Sequence, residues 1–144
     1  MKAKTLTSFM INDHAIMHRL FIEIEKNIES DAKTLMKAVD EFDWKVKKHY
    51  FVEEKAIFTA YSPENTSEGY AMVPKIIKQQ EDILKQLKIF RTSIKKKKIF
   101  NFEGFKNMLN NHKNFEEGNL YPKLEEELPE SEKKLIIKRI NEIL

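Results

Sequence analysis

The chain contains two copies of a short motif in which a histidine and a glutamate stand four positions apart. The copies are His49-Tyr50-Phe51-Val52-Glu53-Glu54 and His112-Lys113-Asn114-Phe115-Glu116-Glu117. On an α-helix, side chains four positions apart project from the same face. Two such pairs on two helices can surround one or two metal ions, and helical bundles build carboxylate-bridged iron sites in this way. The repeated motif therefore predicts a metal centre with histidine and carboxylate ligands.

The composition limits which ligands such a centre can have. The chain has 144 residues and no cysteine. Disulfides, thiolate zinc sites, iron–sulfur clusters and cysteine nucleophiles are thereby excluded. Imidazole and carboxylate remain, and this ligand set suits iron, manganese or zinc.

The length, charge and hydropathy of the chain predict an ordinary soluble domain. Because 41% of its residues are hydrophobic, the chain is expected to form one domain, spanning residues 1–144, with its own core. The 26 basic and 23 acidic residues are mixed, so we predict no nucleic-acid partner. No apolar run reaches transmembrane length, and none follows the basic N-terminus as a signal peptide would. We therefore expect a cytoplasmic protein without a membrane partner.

Helix-forming residues dominate, and only three glycines and four prolines interrupt them, so the chain is predicted to be all-α. The apolar periodicity predicts helices at about 7–30, 31–60, 70–95 and 101–120, with a loop at 61–69 and a short tail helix from about 131. Pro122 is expected to disturb the end of the fourth helix. Long helices with short loops favour an up-down-up-down four-helix bundle with a short C-terminal helix.

Six polar residues fall on the inward-facing apolar stripes of these helices. They are His14, His49, Glu53, Gln80, His112 and Glu116. Buried ionisable groups are costly unless they are paired or bind a cation. One such His/Glu pair alone is more often a surface ion pair, but two inward pairs with a third inward histidine favour a metal site. Glu54 and Glu117 lie one residue further round, and we interpret them as outer partners or solvent-facing groups.

Each of three further residues has two possible roles. His18 stands four positions after His14 on the flank of the first helix, and is either a half-buried, hydrogen-bonded histidine or a further ligand. Tyr50 and Tyr121 adjoin the two motifs and either hydrogen bond to a bound ligand or pack in the bundle.

Taken together, these motifs resemble the hemerythrin-like family, whose members are histidine-histidine-glutamate cation-binding domains. The motifs that carry the resemblance are Asp13-His14, His49 with Glu53, and His112 with Glu116 followed by Leu120-Tyr121-Pro122. The resemblance implies two non-haem iron ions, held by the histidines and joined by the two glutamates and an oxo or hydroxo bridge. It further implies dioxygen or a related small oxidant as the ligand.

The third helix departs from the family pattern. Gln79-Gln80 stands where the family has a Glu-His pair. A glutamine carbonyl is a weaker iron ligand than an imidazole. Three outcomes stay open: an extra open coordination position, an imidazole supplied instead by His18, or loss of the second metal site. The first two are favoured because both His/Glu pairs are intact.

The sequence is compatible with three functions. We expect a di-iron protein that binds or senses dioxygen or a related small oxidant. The second is a di-iron enzyme that handles peroxide or nitric oxide, or a protein that supplies iron for repair. No separate general acid or base is visible, which favours a binding protein over an enzyme. The third is a metal-free helical interaction module whose inward polar residues pair with one another.

Overall fold

The computed structural model describes residues 5–60 and 68–143, and these residues form helices and no strand. The α-helices are α1 (Leu6–Lys26), α2 (Ala32–Val52), α3 (Glu68–Lys96), α4 (Phe102–Phe115), α5 (Tyr121–Glu127) and α6 (Glu130–Ile143). A π-helical turn, Glu53–Ile57, continues α2, and a second one, Glu116–Leu120, joins α4 to α5. The all-α prediction is confirmed.

Side-chain caps explain where α1, α2 and α4 begin. Thr5 and Ser8 form a reciprocal capping box at the start of α1. The Asp31 carboxylate accepts a hydrogen bond of 2.7 Å from the Thr34 N–H, and the Asn101 side chain accepts one of 2.9 Å from the Gly104 N–H. Each cap satisfies an N–H group that has no partner within the helix.

Consecutive long helices run antiparallel. In each pair, residues earlier in the first helix contact residues later in the second, and residues later in the first contact residues earlier in the second. The contacts are His14 with His49 and Phe21 with Phe42, then Glu53 with Gln80 and Asp43 with Arg91, then Gln79 with His112 and Phe90 with Phe105. The predicted up-down-up-down bundle is therefore confirmed.

The core consists of two hydrophobic clusters at the two ends of the bundle. One is rich in aromatic residues and includes Phe21, Phe42, Phe90 and Phe105. The other includes Met10, Ile57, Leu124 and two residues of α6, Ile136 and Ile140. Along each long helix, the inward polar residues lie between members of the two clusters. The apolar clusters thus enclose a polar layer in the middle of the bundle.

Several predicted boundaries differ from the structure. The chain stays helical through Pro122, which lies in the first turn of α5, where a residue without an N–H is tolerated. The first helix ends at Lys26, earlier than predicted. Residues 68 and 69 of the predicted loop already belong to α3, and 61–67 lie outside the described residues.

No helix in the part of the chain that the structure describes is both long and apolar enough to cross a membrane.

Candidate metal centre

The bundle brings six of the seven candidate residues to one buried layer. His14 comes from α1, His49 from α2, Gln80 from α3 and His112 from α4, while Glu53 and Glu116 begin the two π turns. All six are buried, and both glutamates are fully inaccessible. His18 is exposed and stays outside this layer.

The three histidines direct their Nε2 atoms at the two carboxylates, and two of these nitrogen atoms also face each other. The Nε2 atoms of His14 and His49 are 3.1 Å apart. His49 Nε2 lies 3.0 Å from Glu53 Oε1. Glu116 Oε1 lies 2.8 Å from His112 Nε2 and 3.6 Å from His14 Nε2. Five side chains from three helices and two π turns therefore surround one small volume.

An oxygen atom behind each histidine sets its tautomer. The Nδ1 atoms of His49, His112 and His14 lie 2.6 Å from Asp13 Oδ2, 2.7 Å from Gln79 Oε1 and 3.1 Å from Glu117 Oε2, respectively. Carboxylate and amide oxygens accept hydrogen bonds, so each Nδ1 carries the hydrogen and donates it. Each Nε2 then presents a bare lone pair to the centre, which is the form in which histidine binds a metal.

Asp13 is the strongest of these outer partners. Lys45 forms an ion pair with it on the side away from His49. Burial acts to raise the pKa of Asp13, but the hydrogen bonds and charges of His49 and Lys45 outweigh it and lower that pKa. Asp13 is therefore an ionised partner that fixes the orientation of His49.

The two buried glutamates cannot both be ionised without a cation. Burial and the nearby Glu116 carboxylate raise the pKa of Glu53 well above its usual range. Burial acts in the same direction on Glu116, but the hydrogen bond from Glu53 and the contacts with His112 and His14 bring the pKa of Glu116 well below its usual range. Without a cation the pair thus holds one proton on Glu53, as expected for adjacent buried carboxylates.

Several atoms of the centre lack hydrogen bonds, which tests whether the residues fit a metal. Among the described residues, Glu53 Oε2, Glu116 Oε1 and His112 Nε2 are buried without a hydrogen-bond partner. His112 Nε2 and Glu116 Oε1 are only 2.8 Å apart, yet both present lone pairs. Unpaired acceptors this deep in a protein are costly. A cation between them removes that cost, so the residues fit a metal.

The donor atoms divide into two groups that share one carboxylate. His14, His49 and Glu116 form one group, and Glu53, His112 and Glu116 form the other, with the donor atoms of each group within 4.8 Å of one another. Nitrogen and carboxylate donors of this kind suit iron, manganese or zinc. Glu116 therefore belongs to two groups of donor atoms, each of which could hold a cation.

The π turn after α4 brings Tyr121 to the centre. In an α-helix, residues five positions apart point about 140° away from each other. A π turn has more residues per turn and nearly aligns them, so Glu116 and Tyr121 lie on the same side. The Tyr121 O–H lies 3.2 Å from both Glu116 Oε2 and His14 Nε2. Burial, then Glu53 and Glu116, raise the pKa of Tyr121, so it remains a donor.

A small cavity of about 50 Å³ adjoins the centre. His14, Tyr50 and His112 line its inner end. Its apolar walls are Met17, Phe21, Phe42 and Leu109, and its outer rim carries His18, Lys106, Asn110 and Lys113. The Tyr50 hydroxyl is buried and has no hydrogen-bond partner among the described residues. The cavity offers a small molecule an apolar space and one free hydroxyl next to the imidazoles.

Comparison with known proteins agrees with this geometry. The family model of the hemerythrin HHE cation-binding domain matches residues 5–124, most of the chain. The chain belongs to this family. No curated protein and no solved structure matches the chain.

Within this hemerythrin HHE domain, the two glutamines of α3 contact the centre differently. The Gln80 Nε2 group donates a hydrogen bond of 3.1 Å to Glu53 Oε1. Gln79 stands behind His112 instead and accepts from its Nδ1. Gln80 thus directs a donor at a carboxylate, at the place where the family resemblance leads us to expect a ligating imidazole.

Three further residues that the sequence analysis considered lie outside the buried layer. Glu117 is an outer partner, through His14, while Glu54 is exposed to solvent. His18 lies on the rim of the cavity. No local sequence pattern signals Lys45 behind Asp13 or Gln79 behind His112, because both contacts join residues far apart in the chain.

Proposed function

We propose that this hemerythrin HHE domain is a di-iron protein that binds dioxygen or a related small oxidant. The observation that supports this most strongly is the convergence of three bare Nε2 atoms on two buried carboxylates, with acceptor atoms left unpaired between them. Buried acceptors of this kind are costly, and a cation between them removes that cost. Family membership supports cation binding, and iron and dioxygen are our proposal.

The residues have distinct roles in this proposal. His14 and His49 hold one cation, His112 holds the other, and Glu116 is shared between them, with Glu53 beside both. When bound, the iron ions supply the redox chemistry and the coordination position that a diatomic ligand needs. The protein contributes fixed donor atoms, because each imidazole is oriented from behind by Asp13, Glu117 or Gln79.

Access and polarity around the centre support a small ligand. A cavity of about 50 Å³ accommodates a diatomic molecule but no large substrate. Its apolar walls keep bulk water away from the imidazoles. Tyr50 lines this cavity, and its hydroxyl has no hydrogen-bond partner among the described residues, so it is available to a polar ligand.

A second candidate is a di-iron enzyme that consumes peroxide or nitric oxide. One observation favours it: Gln80 directs an N–H, and no lone pair, at Glu53, which leaves one cation position short of a ligand. An incompletely ligated metal exchanges its ligands readily. Consumption of peroxide or nitric oxide in turnover assays would favour the enzyme, and reversible oxygen binding without consumption would favour the carrier or sensor.

Anaerobic loading with ferrous iron followed by exposure to oxygen tests the proposal. We expect up to two iron ions per chain and a near-ultraviolet absorption change that reverses when oxygen is removed. Glu53→Ala should lose iron, whereas Glu54→Ala, an exposed neighbour, should retain it. A protein that takes up no iron, or takes it up equally with Glu53→Ala, contradicts the proposal.

A further inference from the structure

The two cation positions of the centre differ in their ligands. The first position has two imidazoles, His14 and His49, together with Glu116. The second has one imidazole, His112, together with Glu53 and Glu116. Gln80 is the neighbouring side chain from α3, and its amide nitrogen lies 3.1 Å from Glu53 Oε1. The second position therefore lacks the imidazole that α3 would have to supply.

The outer partners of the histidines differ in the same direction. His14 and His49 donate their Nδ1 hydrogens to carboxylates, those of Glu117 and Asp13. His112 donates to the neutral amide of Gln79. A carboxylate behind a ligating histidine raises its basicity, and removing such a partner typically lowers metal affinity by about 10- to 100-fold. This second difference is independent of the missing imidazole.

Gln80 also competes for a ligand of the second position. Its Nε2 hydrogen bond occupies Glu53 Oε1, one of the two oxygen atoms of a carboxylate in the second donor group. The other oxygen, Glu53 Oε2, has no hydrogen-bond partner among the described residues, so a cation beside His112 either binds Glu53 through that single oxygen or displaces the amide. No comparable amide donor contacts the first position among the described residues, where Tyr121 is the only neutral donor in contact.

From these three differences we propose that the two positions bind cations sequentially and unequally. The position of His14 and His49 binds tightly, while the position of His112 binds an exchangeable ion, and Gln79 and Gln80 set that difference. The proposal rests on the proposed metal-binding function and specifies how the two ions share the site. Gln79 and Gln80 act as positioning residues: Gln79 acts through His112, and Gln80 acts through Glu53.

Equilibrium dialysis of the full chain against ferrous iron under anaerobic conditions, with elemental analysis, measures the two steps. For the unaltered chain we expect one ion to bind first and a second to bind at least about tenfold more weakly. Gln80→His supplies an imidazole and should tighten the second step at least about tenfold without changing the first. Gln79→Glu places a carboxylate behind His112 and should tighten the same step.

Controls separate this proposal from the metal-binding function. Gln86→His adds an imidazole to the same helix outside the centre and should change neither step. Gln79→Glu keeps the proposal testable if Gln80→His does not fold, since it differs from the native side chain by a single group. Two equally tight steps in the unaltered chain, or no effect of the folded variants on the second step, overturn the proposal. Absence of any bound iron instead overturns the proposed function.

Discussion

Each histidine of the centre is useful only because a specific atom stands behind it. His49 is the clearest case, because its Nδ1 lies 2.6 Å from Asp13 Oδ2, and Lys45 forms an ion pair with the same carboxylate. The bond fixes the tautomer that leaves Nε2 free. Metal binding by these histidines therefore depends on their outer partners as much as on the ligand atoms themselves.

Replacing Asp13 with Asn should weaken metal binding without unfolding the bundle. The amide has nearly the same shape, but it removes the charge behind His49. We expect the dissociation constant for the first iron ion to rise by about 10- to 100-fold. Equilibrium dialysis measures this change. Asp40→Asn, which alters an exposed partner of Arg91, is the matched control and should leave the dissociation constant unchanged. Equal affinities in the two variants would reject the role of Asp13.

Replacing Glu53 with Gln should affect stability and metal binding in opposite directions. In the metal-free protein, Glu53 is a fully buried carboxyl group beside the Glu116 carboxylate. This group must take up a proton when the chain folds at neutral pH. A permanently neutral amide avoids that cost, so we expect the free energy of unfolding of the metal-free protein to rise by about 1–3 kcal/mol. Uptake of the second ion should be lost, because Glu53 belongs to the donor group of His112. Urea denaturation and metal analysis measure the two effects, and Glu54→Gln, an exposed change next to it, should produce neither.

The sequence predicted the inner residues better than the outer ones. The spacing of His49 with Glu53 and of His112 with Glu116 suffices to place each pair on one helical face. The partners behind the histidines depend on how the helices are rotated against each other. Gln79 and His112 are 33 positions apart, so no local pattern predicts their contact.

The π turns are the elements that distinguish this bundle from four regular helices. Both begin at a buried glutamate, and the second aligns Tyr121 with Glu116. Sequence periodicity did not predict them, because an extra residue in one turn is stabilised by tertiary contacts and leaves no local signature. The helix continues past Pro122 because this residue lies in the first turn of α5, where a residue without an N–H is tolerated.

Two glycine substitutions test the elements separately. Gly118 lies in the second π turn with open space where a Cβ would stand, and no glycine among the described residues has a positive φ. Gly118→Ala should raise the free energy of unfolding by about 0.5–1 kcal/mol. At Gly104 a Cβ would lie 2.5 Å from Asn101 Nδ2 and displace the cap of α4. The lost cap costs about 1 kcal/mol, so Gly104→Ala should show no gain.

Urea denaturation of both variants measures these free energies. Metal affinity should not change in either one, because neither glycine contacts the centre. A larger gain for Gly104→Ala than for Gly118→Ala would contradict the assigned roles of the cap and the π turn.

At the scale of the whole molecule, the centre lies between two apolar clusters and joins all four long helices. A cation bound there links residues of α1, α2, α4 and the two π turns. A ligand that binds only the folded state stabilises it, by about 2.7 kcal/mol at a hundredfold excess over its dissociation constant. For a chain of this size, we expect iron to raise the melting temperature by roughly 5–10 °C.

Thermal melting with ferrous iron and with a chelator measures this difference. His49→Ala should melt at the same temperature under both conditions. Equal melting temperatures of the unaltered chain with and without iron would favour the metal-free interaction module over a metal-binding protein.

The central claim is that His14, His49 and His112 turn their Nε2 atoms toward cations that Glu53 and Glu116 share. Anomalous X-ray diffraction at the iron edge from crystals of the iron-loaded protein locates those ions directly. We expect one strong peak in contact with the Nε2 atoms of His14 and His49, and a weaker one beside His112. Iron found only on the protein surface, or no peak within the bundle, would contradict it.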